Sequence, residues 1–180
     1  MNELTSRYSI AFVEAMIETD KENAEIYRDE MYAFIQILKK HPKLGQFLGV
    51  IDIKFEDKEK MIKSTFSNYH DLTLNFILLI VSKNRAYFLK DILTDTYVKI
   101  NSYLKVDEGI IYSSKALDEK TIKEITDALE KKKAHKVLLT NVVDEKLIGG
   151  FKIIMSNDVY DTSIKTQLER LKKSLLKDDK

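Results

Sequence analysis

His41, His70 and His135 are the residues of this chain best suited to proton transfer or metal binding. They fall in separate expected elements, with no spacing that would gather them around one ion. No HExxH, paired-cysteine or EF-hand pattern accompanies them. "SNDVYD" (156–161) places aspartates near a turn, at the spacing of a turn and a helix cap rather than of a ligand loop. The paired glycines of "LIGGFKI" (147–153) could suggest a phosphate cradle. A P-loop, however, ends in Gly-Lys-Ser/Thr, and a dinucleotide loop opens a helix, whereas here more strand follows. "EKKKAHK" (130–136) is basic, but it reads as a helix end, where the dipole favours cations, and no aromatic residue interleaves with its lysines. No nucleophile, base and oxyanion site assemble anywhere. The residue types exclude an enzyme more firmly than they favour any chemistry.

Binding surfaces are then the alternative, and they depend on the elements that carry them. Residues 1–105 read as helices. The first carries Tyr8, Ala11, Phe12, Ala15 and Met16 on one stripe, with Thr5 or Ser6 able to cap it. A second runs over about 21–39 and stops before Pro42, the only proline, which cannot continue it. Short helices follow over about 43–49 and 56–67. "DLTLNFILLIV" is apolar nearly all round, as in a helix buried in a bundle or offering one face to a partner. A long helix over about 85–104 closes the set.

Beyond Lys105 the period changes. "GIIYSS" (109–114) predicts a strand, and Asp118 caps a helix that carries Ile122, Ile125 and Leu129 inward. "HKVLLTNVV" (135–143), the turn "DEK" and "LIGGFKIIM" (147–155) predict a β-hairpin. Val159-Tyr160 adds a short edge. Asp161 is expected to cap a closing helix striped with Ile164, Leu168, Leu171 and Leu175. The predicted fold class is α+β: a six-helix bundle over 1–105, then a small α/β domain over 106–180 with a β-hairpin and a C-terminal helix.

The chain has five glycines in 180 residues, so the pair at 149–150 needs a reason. Glycine inside a regular element costs about 0.5–1 kcal/mol relative to alanine. A bulge or the close approach of another backbone in the C-terminal sheet is the expected cause, which makes Gly149 and Gly150 structural residues.

Composition narrows the partners. Charged residues reach 33% but nearly cancel, to +1, so nothing points to a nucleic acid or a lipid surface. Only four of the 30 basic residues are arginine, the preferred fork for phosphate and base edges. Cysteine is absent, which removes disulfides and thiol chemistry. No stretch approaches the ~20 apolar residues of a membrane span, and the N-terminus does not resemble a signal or transit peptide.

"VVDEKLIGGFKIIMSNDVYDTSIKTQLERLKKSL" (142–175) resembles the C-terminal signature of the delta subunit family of bacterial F-type ATP synthase, relatives of the mitochondrial oligomycin-sensitivity-conferring protein. "SRYSIAFVEA", "NFILLIVSKNRAYFLKDILTDTYVKI" and "IIYSSKALDEK" are similar to that family's upstream segments, in order. The departures are Ser9 and Ser114 in place of alanine and a missing proline before Leu117.

The resemblance implies a non-catalytic peripheral-stalk (stator) subunit that links the catalytic head to the membrane sector and resists rotor torque. It implies one copy per complex, peripheral on the cytoplasmic face of the bacterial cell membrane, with no cofactor, no nucleic acid and no membrane insertion. The N-terminal helix of an alpha subunit would lie between the first and fifth helices. Tyr8, Ala11 and Phe12, with Ala15 on the same stripe, would line one side of that groove, and Asn75, Phe76 and Leu79 the other. The second domain would hold the C-terminal helices of the b subunit. Leu147, Gly149, Gly150, Asp158, Asp161 and Ser163 would mainly determine the fold. A free-standing helical adaptor, or an RNA-associated module using the lysines of 130–136, is the rival.

Overall fold

A computed structural model describes residues 3–155, 158–164, 166–168 and 172, which divide into two compact units, Met1–Leu104 and Lys105–Lys180.

The first unit contains helices α1 (Glu3–Asp20), α2 (Ala24–Lys40), α3 (Pro42–Gly49), α4 (Phe55–Thr65), α5 (Asp71–Ser82) and α6 (Leu89–Leu104). Pro42 occupies the first turn of α3, where its missing N–H costs nothing, so α2 and α3 meet at His41. Helix α1 already includes Thr5, so neither Thr5 nor Ser6 is its cap. Thr5 instead lies on the buried stripe with Ser9, Phe12 and Met16. The centre of the unit is Met16, Met31, Phe34, Ile62, Ile77, Ile80, Ile92, Leu93 and Ile100, all essentially inaccessible. Burying each such side chain contributes about 1.5–3 kcal/mol. Seven of the twelve residues of α5 are buried, as its unbroken apolar composition requires.

Several polar groups drawn into this core are paired, as burial favours, although Arg28 Nη1 and Asn101 Oδ1 find no partner among the described residues. Asp95 on α6 accepts from Ser9 Oγ at 2.5 Å and from Lys99 Nζ at 2.6 Å. Buried Lys58 donates to the Val50 carbonyl at 2.5 Å and so ties down the α3–α4 loop.

The second unit is a four-stranded sheet with one helix. Its elements are β1 (Val106–Ser113), α7 (Glu119–Lys133), β2 (Lys136–Val143), β3 (Phe151–Met155) and β4 (Val159–Asp161). Asp118 caps α7, accepting the Thr121 N–H at 2.8 Å, and Ala134 closes it in the left-handed conformation. Ile111, Val137, Ile153 and Met155 face Leu129, Ile122 and Ile125 of α7.

The expected hairpin between β2 and β3 does not form. The strand order is β2-β1-β3-β4: β1 pairs in parallel with β2 and antiparallel with β3. Helix α7 is the crossover of a βαβ unit, which sets β2 beside β1. β3 then adds to the other edge of β1, and it pairs antiparallel with β4. Alternation along a strand reveals its two faces but not its neighbours, which is why the sequence pattern suggested the shorter route.

The paired glycines precede strand β3 rather than lying in it. Gly150 has φ of 75°, and a Cβ there would stand 2.5 Å from the Thr162 carbonyl oxygen. The Ile164 N–H donates to the Gly149 carbonyl at 3.1 Å, and the Thr162 N–H to that of Phe151 at 3.0 Å. The close backbone approach is therefore real, but the segment that approaches is 162–164. Asp161 is the last residue of β4 and does not cap the closing helix. It accepts the Ser163 N–H at 2.9 Å, and Ser163 Oγ takes the capping position toward the Thr166 N–H. Of the closing helix, residues 164, 166–168 and 172 are helical. Ser156, Asn157, Leu171, Leu175 and the polar tail lie outside the described residues.

Candidate partner-binding site

The candidate groove runs between α1 and α5. Its floor is aromatic: the Phe12 and Phe76 rings lie 4.6 Å apart between centroids, and Tyr27 meets Phe12 edge-on at 6.0 Å. Phe12 and Phe76 are only 3% and 7% exposed, so these expected contact residues belong to the core of the unit. Above this floor Ala11, Asn75 and Leu79 are exposed, and Tyr8 and Ala15 are half-buried. Leu79 keeps 47% of its surface accessible, whereas most of the apolar residues of α5 are buried.

Both ends of α5 are fixed. At its N-terminus, Glu30 of α2 accepts the His70 N–H at 2.7 Å and the Thr73 hydroxyl, placing a carboxylate where free N–H groups and the helix dipole favour it. The same Glu30 oxygen lies 2.9 Å from His70 Nδ1, and the Tyr27 ring stands edge-on to the His70 ring. At the C-terminus, the Asn84 N–H donates to the Val81 carbonyl at 3.0 Å and the Arg85 N–H to that of Ile80 at 3.1 Å. With Asn84 at φ of 55° this is a Schellman ending. It turns Arg85 toward α1, where its guanidinium donates to the Tyr8 hydroxyl at 2.5 Å and lies 5.3 Å from the centre of that ring.

The sequence pattern finds the α1 stripe, and the family resemblance the α5 residues, but neither finds Glu30, Arg85 or Asp95, which hold the helices. Asn-Arg directly after an apolar helix is a helix-stop signal that could have identified Arg85. The others depend on contacts between residues 40 or more apart in sequence.

Burial opposes ionisation of Asp95, but hydrogen bonds from Lys99 and Ser9 outweigh it and hold the carboxyl below its ordinary value. Tyr27 is pushed upward by burial and by the adjacent Asp20 carboxylate. Both are signs of structural pairing. Among the described residues no group of three His, Asp or Glu side chains could hold a metal ion, and no helix is long and apolar enough to cross a membrane.

The lysine run is engaged within its own unit. Lys133 bridges Asp158 at 2.8 Å and Asp107 at 2.9 Å, and both carboxylates raise its pKa. Lys132 lies 4.7 Å over the Tyr160 ring. Such pairing leaves less free charge for a polyanion.

The fold is a helical unit followed by a small α/β unit. A profile of the family described as "ATP synthase delta (OSCP) subunit" matches residues 4–175. The chain is 31% identical over 170 residues to ATP synthase subunit delta of Mycoplasma mobile, covering 94% of this chain and 93% of that protein. It is 27% identical over 175 residues to the subunit delta of Bacillus thuringiensis, covering 97% and 96%. A chain in the Toxoplasma gondii mitochondrial ATP synthase hexamer shares the fold, with a TM-score of 0.67 at 14% identity, covering 97% of this chain and 98% of that one. The chain belongs to the ATP synthase delta (OSCP) subunit family. It is a non-catalytic peripheral-stalk subunit of ATP synthase, and the reading as an RNA-associated module finds no support.

Proposed function

We propose that the α1–α5 groove receives the N-terminal helix of an alpha subunit, making residues 1–105, with their six helices, the head-binding domain. Residues 106–180 hold the C-terminal helices of the b subunit. One copy serves each complex, at the cytoplasmic face of the bacterial cell membrane. The observation that carries this reading is the packing of α1 against α5 through the Phe12 and Phe76 rings, with Ala11, Asn75 and Leu79 left exposed on those two helices. A stator joint needs affinity and stiffness without chemistry. An amphipathic helix docked in a fixed apolar groove supplies both.

Calorimetric titration of the full chain with a synthetic alpha-subunit N-terminal peptide tests this. One-to-one binding with a negative heat-capacity change and little salt dependence is expected. No binding by a folded chain, or affinity that collapses with salt, would exclude the groove as the alpha-subunit site.

A further inference from the structure

A second concavity on the helical unit shares no lining residue with the α1–α5 groove. It is a cleft of about 690 Å³ between the end of α2, helix α3 and the segment 84–90. Its walls include Leu38, Val50 and Ala86, and Tyr87 stands at its edge. Tyr87 is 88% exposed, which leaves a large aromatic surface without cover.

Two features of the cleft bear on what could occupy it. Gly45 and Gly49 lie one turn apart on α3, where glycine weakens a helix relative to alanine. Neither has positive φ. A Cβ at Gly49 would meet nothing within 4 Å, and one at Gly45 only a Leu38 methyl at 3.8 Å. The fold leaves room for a side chain at either position, so bare helix backbone faces the cleft there. Second, Lys39 and Lys90 line the cleft, and neither pairs with a carboxylate among the described residues. An apolar floor, bare helix backbone and two unneutralised ammonium groups complement one kind of occupant.

We propose that this cleft docks an acidic amphipathic helical segment of a partner protein, its backbone against Gly45 and Gly49 and its carboxylates on Lys39 and Lys90. The site is separate from the alpha-subunit groove and does not depend on that assignment.

The test follows amide chemical shifts of the full-length chain during titration with an amphipathic Ala/Leu/Glu peptide, its Ala/Leu/Lys counterpart and inorganic phosphate. Saturable shifts confined to 38–50 and 84–90, with the acidic peptide alone, are expected. Gly49→Leu should abolish them while leaving the helical circular dichroism intact, and Lys39→Glu with Lys90→Glu should weaken binding about tenfold or more. Four results would overturn the proposal: no saturable shift, equal binding of the lysine peptide, phosphate alone reproducing the shifts, or shifts centred on 8–15 and 75–79.

Discussion

The Arg85 guanidinium reaches from the end of α5 to the Tyr8 hydroxyl on α1, donating a 2.5 Å hydrogen bond across one end of the groove. Its planar fork both bonds the hydroxyl and lies toward the ring, a combination that lysine does not reproduce. Arg85→Ala and Arg85→Lys should each lose about 1 kcal/mol of stability and weaken alpha-peptide binding severalfold. Denaturant titration and calorimetry read the two effects. Parent affinity in both variants would show that the contact does not shape the groove.

Leu79 and Phe76 should separate binding from folding. Leu79→Ala removes an exposed side chain and should leave stability within about 0.5 kcal/mol of the parent. Its cost should fall on peptide affinity, by about 1–2 kcal/mol. Phe76→Ala opens a cavity beneath Phe12 and should cost about 3–5 kcal/mol of folding stability. The reverse pattern in paired unfolding and binding measurements would place the contact surface elsewhere.

The pair Ser9–Asp95 predicts a pH dependence with a definite sign. The folded pKa of Asp95 lies below the ordinary 3.8, so the ionised, paired state stabilises the fold above that value. This contribution is lost as pH falls through the folded pKa. Ser9→Ala removes one donor and should cost about 1–3 kcal/mol near neutral pH. The gap between parent and variant should narrow in urea titrations stepped below 3.8. A constant gap would assign the loss to packing instead.

Gly150 and Gly149 should respond unequally to substitution. Gly150→Val needs a left-handed valine and drives its Cβ into the Thr162 carbonyl, so a loss of about 1–3 kcal/mol is expected. At Gly149 the obstacle is the Ile164 Cδ1 methyl at 2.6 Å, the mobile end of a side chain, so Gly149→Ala should cost less. Thermal unfolding distinguishes them, and equal losses would contradict the backbone contact.

The helices were legible because each has a stripe, a stop or both. Pro42 marks a boundary by its chemistry, Asp118 by its capping oxygen, and α5 by an apolar run too long for a strand. The neighbours of β2 were not legible: Val137 and Leu139 alternate in the same way whether β1 or β3 lies alongside. Thr5 looked like a cap because its type suits one, yet its place on the buried stripe decided otherwise. Nothing in the sequence showed why Ser9 stands where the family has alanine; Asp95, 86 residues away, supplies its partner. In the candidate groove, spacing gave the α1 stripe, and the family resemblance supplied the residues of α5. How deep each side chain sits, which separates Leu79 from Phe76, depends on the packing of several helices at once.

A rod fixed at one end can pivot, whereas one fixed at both can only bow. Glu30 grips the start of α5, and the turn through Asn84 and Arg85 anchors its finish to α1. A sideways load on the groove wall must therefore bend an intact helix rather than swing it, and bending strains every hydrogen bond along its length. On the docking proposed above, the backbone of α5 would contribute to the compliance of the joint alongside the docked surface. Loosening either anchor would make the coupling springier as well as the binding weaker.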